Sequence, residues 1–277
     1  MKKYFLMAAL LLAALACKGT RPLSERVAEY NDRVDAVVNT YKAGIVALQE
    51  EEGLEPELVA QRQEDLYDAA VEGLLTVGRE TIEANMNDSL AVIALQDVAG
   101  YMAPEEVLGY VEKMDSSWCN AEPVASLAAE ARAKLATAPG AMFVDFAVVE
   151  DPAKGDTVRL SDFVGKGKYI LADFWASWCG PCKREIPNIK SVYEKYKGKD
   201  FDVLSIAVWD KPEDTAAAAK EHGVVWSQIV NTDRVATDAY GIKGIPHIIL
   251  FGPDGVIVAR DLRGEEIEKA VAKALGK

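Results

Sequence analysis

The chain has 277 residues, half of them hydrophobic and 27% charged, the composition of a packed chain of one large or two ordinary domains rather than a disordered or fibrous one. Its formal charge of −13 is unevenly placed: residues 17–140 carry 10 basic and 23 acidic side chains, and residues 141–277 carry 19 and 21. Nothing in that balance could neutralise a phosphate backbone, which argues against nucleic acid; the acidity reads as a solubilising surface, with an electrostatic docking site as the alternative.

Lys2 and Lys3 precede an unbroken apolar run, Tyr4 to Ala16, too short to span a bilayer as a mature helix. It reads as an export signal over residues 1–16. The run ends Leu15-Ala16-Cys17, similar to the lipobox of bacterial lipoproteins, although Ala14 stands where the usual pattern has Leu. Cys17 is therefore the expected lipidation site, and an ordinary secretory signal is the alternative.

Residues 17–140 are expected to be all-helical. Val27, Tyr30, Val34, Val37, Tyr41, Ile45 and Leu48 fall at steps of three and four, an amphipathic stripe. Further helices are predicted from Pro56 to Ala84, from Asp88 or Ser89 through Val98, from Pro104, and from Pro123 with Leu127 and Leu135, the prolines sitting in first turns. Cys119 falls here and reads as a buried small hydrophobe. Pro139-Gly140 breaks the pattern and marks the boundary.

From Ala141 short β-rich runs alternate with helical ones, an α/β pattern with a mixed sheet. Strands are predicted at Phe143–Val149, Tyr169–Trp175, Phe201–Val208, Val224–Val230, His247–Phe251 and Val256–Asp261. Helices are predicted at Gly180–Lys197, Pro212–His222, Arg234–Tyr240 and Glu265–Leu275, with a turn at Pro253-Asp254-Gly255.

Trp178-Cys179-Gly180-Pro181-Cys182 lies between a predicted strand and a predicted helix. Disulfide exchange needs a thiolate nucleophile and a second thiol to resolve the mixed disulfide. Residues three apart share a helix face, and the unpaired N–H groups and positive dipole end of the first turn favour a thiolate at Cys179. Cys182, one turn in, becomes the more buried resolving thiol. The competing reading, half of a zinc site, needs two more ligands, and only the scattered Cys119, His222 and His247 remain. No metal or organic cofactor is expected. Asp173 has Leu171 and Trp175 on its own strand face and apolar residues on the other, so its carboxyl is expected to be buried with a raised pKa; a solvated strand-end Asp is the alternative.

Residues 170–183, Ile-Leu-Ala-Asp-Phe-Trp-Ala-Ser-Trp-Cys-Gly-Pro-Cys-Lys, closely resemble the thioredoxin active-site segment, and residues 240–246, Tyr-Gly-Ile-Lys-Gly-Ile-Pro, resemble the thioredoxin segment that carries its cis-proline. Val158 to Phe163 and the extra helix and strand over 212–230 are similar to the TlpA/ResA branch of that superfamily. The resemblance covers residues 141–277. It implies a thioredoxin-like fold in which Cys179 attacks, Cys182 resolves, Asp173 relays a proton and Pro246 is cis and presents the substrate. Trp178, Gly180, Pro181 and Ile245 are then the residues that meet an incoming chain. His247 stands where relatives usually have Thr, either tuning the thiolate or serving structure. Peroxiredoxins share the fold and carry Thr three residues before the reactive Cys; Ala176 stands there, which argues against a dedicated peroxidase.

The expectation is a lipid-anchored thiol–disulfide oxidoreductase of the bacterial cell envelope, facing the periplasm. It would reduce disulfides of exported proteins with electrons from a membrane thiol donor. Gly180 and Pro181 offer the Cys179 sulfur no side-chain donor, which points to a reducing potential. A disulfide oxidase or isomerase, and a non-catalytic partner-binding module, are the rival readings.

Overall fold

The computed structural model describes residues 21–151 and 155–277. The expected signal segment and Cys17 lie outside them. No described helix is long and apolar enough to cross a membrane, and no three metal-ligating side chains cluster among the described residues.

The first half is helical. Helix α1 (Leu23–Glu50) turns its predicted stripe inward, with Tyr30 and Leu48 fully buried, and packs on α2 (Pro56–Ala84), which opens on proline. The helices approach closely where side chains are small: a Cβ on Gly73 would lie 3.0 Å from Val37. Helix α3 (Ser89–Val98) starts where the Asp88 carboxylate accepts from the Leu90 N–H at 3.0 Å, and six of its ten residues are buried. Polar pairs close the edges: Tyr30 donates to Asp97 at 3.0 Å, and Arg79 forks onto Glu106 at 2.7 and 3.0 Å. Helix α4 (Pro104–Lys113), the single turn α5 (Ser116–Cys119) and α6 (Glu122–Ala136) complete the region. Cys119 is not the buried residue its small size suggests: it is free and partly exposed, because a four-residue turn has too short a face to cover it.

The chain divides into two compact units, one ending at Ala125 and the other spanning Ser126–Lys277. The division thus falls inside α6, ahead of the Pro139-Gly140 break. Contacts fix this: Glu130 of α6 pairs with Lys243, and Arg260 holds the Lys134 carbonyl of α6 and the Thr137 carbonyl just past it.

In the second unit five strands form one sheet in the order β5-β4-β3-β6-β7. Strands β3 (Tyr169–Trp175), β4 (Phe201–Ala207) and β5 (Ser227–Ile229) are parallel; β6 (His247–Phe251) pairs antiparallel with β3, and β7 (Ile257–Arg260) antiparallel with β6. The crossover helices are α7 (Gly180–Tyr196), α8 (Pro212–His222) and α9 (Val235–Tyr240), with α10 (Glu265–Ala274) last. Central β3 is buried on both faces, which is why it reads as a continuous apolar run. Leu171 and Trp175 face a core with Cys182, Ile186 and Ile189 of α7; Ile170, Ala172 and Phe174 face a second core with Tyr240 and Phe251.

Two strand expectations are corrected. The run at Phe143–Val149 forms β1 later, at Ala147–Asp151, and pairs with β2 (Asp156–Arg159) in a separate hairpin. Phe143 instead donates its N–H to Gly255 in the turn between β6 and β7, where a Cβ would meet the Phe143 ring at 2.6 Å. The run at Val224–Val230 shortens to the three residues Ser227–Ile229, whose register partners on β4 are Leu204, Ser205 and Ile206.

Candidate functional site

Strand β3 ends at Trp175, the chain turns through Ala176-Ser177-Trp178, and α7 begins at Gly180 with Cys179 as its cap. Pro181 falls in the first turn, where its missing N–H costs nothing. Cys179 and Cys182 form a disulfide with their Cα atoms 5.3 Å apart, and the Cys182 N–H donates to the Cys179 sulfur at 3.1 Å. That donor, with the helix dipole behind it, favours negative charge on Cys179. In the disulfide both residues are covered, Cys179 at 3% exposure and Cys182 at 1%, so the expected difference in burial between the two is small. Their asymmetry lies in their partners.

The Ile245–Pro246 peptide bond is cis, and the Ile245 carbonyl oxygen lies 3.7 Å from the Cys179 sulfur. The Ile245 backbone therefore borders the reactive atom, where an extended chain could pair with it. Trp178 is 60% exposed beside the disulfide, an aromatic surface for a partner. Gly180 is half-buried and Pro181 exposed on the same rim.

Asp173 is 1% exposed, and its Oδ1 has no hydrogen-bond partner in the chain. Burial pushes its pKa up to about 7; Arg263 opposes the shift and Glu185 adds to it. The carboxyl shares a sheet face with Leu171 and Trp175, whose core contains Cys182. A buried group of pKa near neutrality can accept and return a proton at physiological pH.

Several residues that position the site escaped the sequence reading. Asp210, just past the carboxyl end of β4, accepts from the Ser177 N–H at 2.6 Å, the Ser177 hydroxyl at 2.9 Å and the Thr215 hydroxyl at 2.8 Å. Its neighbour Trp209, held at φ 52°, offers its carbonyl to the Trp178 indole N–H at 3.0 Å. Together they pin the loop ahead of Cys179. The available signal was position: in open α/β sheets, sites gather at the carboxyl ends of parallel strands.

On the other side, Arg263 donates to the Pro246 carbonyl and to the Leu262 carbonyl, and pairs with Asp261 at 3.0 Å. His247 serves structure. Burial holds its pKa below an ordinary histidine, so the ring is neutral at pH 7. Its Nδ1 faces Asp261 at 3.4 Å and its Nε2 faces Arg260 at 3.1 Å, which assigns the proton to Nδ1. Arg260 also donates to the Thr137 hydroxyl at 2.6 Å and to the Thr137 and Tyr240 carbonyls at 3.0 Å each, closing the ends of α6 and α9.

Residues 139–260 match the AhpC/TSA family model. The thiol–disulfide oxidoreductase ResA of Bacillus subtilis is 32% identical over 111 residues, which cover 40% of this chain and 60% of that protein. ResA of Geobacillus kaustophilus is 29% identical over 139 residues, covering 49% and 78%. The thioredoxin domain of a thiol–disulfide oxidoreductase from Bacteroides vulgatus is 36% identical, with a TM-score of 0.44, over 49% of this chain and 96% of that one. The residues matched by the family model include Cys179 and Cys182.

Proposed function

We propose that the chain reduces disulfides of exported proteins, since residues 139–260 match the AhpC/TSA family model and the chain is similar to ResA-type thiol–disulfide oxidoreductases. One observation carries the reading: the Cys179–Cys182 disulfide caps α7 directly beside the Ile245 carbonyl. In the reduced chain the Cys179 thiolate attacks a substrate disulfide, forming one S–S bond and releasing one substrate thiolate. The Cys182 thiol gives its proton to the Asp173 carboxylate, and its sulfur then attacks Cys179. That step releases the second substrate sulfur as a thiolate and leaves the enzyme oxidised. Trp178, Gly180, Pro181 and Ile245 border the incoming chain. No step calls for a metal or organic cofactor.

The enzyme must then be reduced again, and a membrane thiol donor is the source we propose. The export signal at residues 1–16 and a lipid on Cys17 would place the chain at the bacterial cell envelope, facing the periplasm. Gly180 and Pro181 give the Cys179 sulfur no side-chain donor, which supports a potential nearer thioredoxin than DsbA.

Purified full-length protein with dithiothreitol is expected to speed insulin reduction, and Cys179→Ser to abolish the effect. A wild-type rate no better than dithiothreitol alone refutes the activity. Equilibration against glutathione, read by tryptophan fluorescence, tests direction: a chain mostly reduced at a mildly oxidising poise would favour the oxidase or isomerase reading.

A further inference from the structure

Among the described residues, three buried side-chain polar atoms have no partner: Asp173 Oδ1, Trp175 Nε1 and Gln228 Oε1. The strand register places them together. Asp173 of β3 stands opposite Ser205 of β4, and Ser205 stands opposite Gln228 of β5. Partners in a parallel ladder point to the same face, so the three form one polar row across the sheet. Trp175 lies two residues along from Asp173 on that face. The surroundings are apolar: Leu171, Val203, Ile248 and the α7 residues Ile186 and Ile189. Ser205 is 1% exposed and its oxygen accepts from the Trp226 indole N–H at 2.8 Å, which leaves its own hydrogen for another acceptor. The row begins at the centre of the sheet and ends on its edge strand, β5.

Geometry selects what joins these groups. Adjacent strands are about 4.8 Å apart, whereas an O–H···O bond spans about 2.8 Å. One water with two such bonds spans the gap. Buried waters also gather where several buried polar groups lack protein partners, typically making about three bonds.

We propose that Asp173, Ser205 and Gln228 bind a short file of buried water, with the Trp175 indole as a further donor, and that this file carries the Asp173 proton to the β5 edge. The proposal rests on the exchange reaction above and gives its proton an exit. Cys182 protonates Asp173; the carboxyl passes one proton to water; the Ser205 hydroxyl accepts one proton and releases another toward Gln228, whose amide holds the water without itself being protonated. Net, one proton leaves Cys182 and one reaches solvent, with no electron moved. The titratable and charged groups around Asp173 are Cys182 and Glu185 on α7, and Arg263 ahead of α10.

The test uses the full chain with Ser205→Ala, Gln228→Leu and the hydroxyl-preserving Ser205→Thr. In the oxidised protein at pH 5, the infrared carbonyl band of the protonated Asp173, identified by its loss in Asp173→Asn, is expected to move to higher frequency in Ser205→Ala and in Gln228→Leu. Ser205→Thr restores it. This measurement needs no substrate, so it stands whether or not the chain reduces insulin. In the reduced protein, Ser205→Ala is expected to slow mixed-disulfide resolution near pH 7 by on the order of tenfold, short of the hundredfold or more typical of losing the proton acceptor itself. Alkylation of Cys179 by iodoacetamide, which reports the first thiolate alone, is expected to keep its rate. A band unmoved in both Ser205→Ala and Gln228→Leu overturns the water site. Wild-type resolution rates in Ser205→Ala overturn the relay.

Discussion

At Asp173 one carboxyl links stability to chemistry. Its pKa rises from an ordinary 3.8 to about 7 because burial strips water from the charged form. The folded chain then holds this proton more tightly than the unfolded chain does. The contribution is fully favourable below about pH 4 and is lost as pH climbs toward 7, above which the fold carries a buried carboxylate. Asp173→Asn removes that titration. Its thermal midpoint is expected to match wild type near pH 4 and to exceed it at pH 8, the gap opening between those values. Three pKa units correspond to about 4 kcal/mol, a ceiling because Asn keeps a buried polar group. The same variant is expected to resolve mixed disulfides more slowly near neutral pH. Unfolding curves that superimpose at both pH values would show a solvated side chain.

Among the secondary-structure elements, glycine contacts distinguish tight packing from loose. Gly241 ends α9 at φ 62°, and a Cβ there would lie 2.7 Å from the Glu130 carbonyl and 2.8 Å from Lys134 Cγ on α6. Backbone cannot retreat as a side-chain tip can. Gly241→Ala is expected to cost at least about 2 kcal/mol, combining left-handed strain with overpacking. Gly109, inside α4, meets nothing within 4 Å. Gly109→Ala is expected to stabilise by about 0.5–1 kcal/mol through helix propensity alone. Urea denaturation of both variants checks the contrast; equal effects would mean that α6 and α9 are not in close contact.

For the whole molecule, charge and chemistry are segregated. The helical half carries the acidity, and the sheet half carries the disulfide. Anchoring belongs to this scale. Full-length protein made in a bacterium is expected to partition into detergent and to carry acyl mass at its N-terminus, and Cys17→Ser to lose both. An unmodified wild type in the aqueous phase would leave the proposed anchor without support.

Much of this protein was written locally. The stripe from Val27 to Leu48, the proline-led helices and the apolar runs of β3 and β4 follow from periodicity, which a chain shows without knowing its neighbours. The spacing of Cys179 and Cys182 and the apolar flanks of Asp173 are local in the same way, so the candidate centre was legible. What surrounds that centre was not. Asp210 reaches Ser177 across 33 residues, Arg260 reaches Thr137 across 123, and Ser205 stands beside Asp173 through strand register alone. A polar residue's partner is set by where the backbone brings it, and burial makes that partner matter, because an unpaired polar group inside a core is costly. Likewise β1 took β2 as its partner and Cys119 kept its exposure, since pairing and cover depend on neighbours that only the fold assembles.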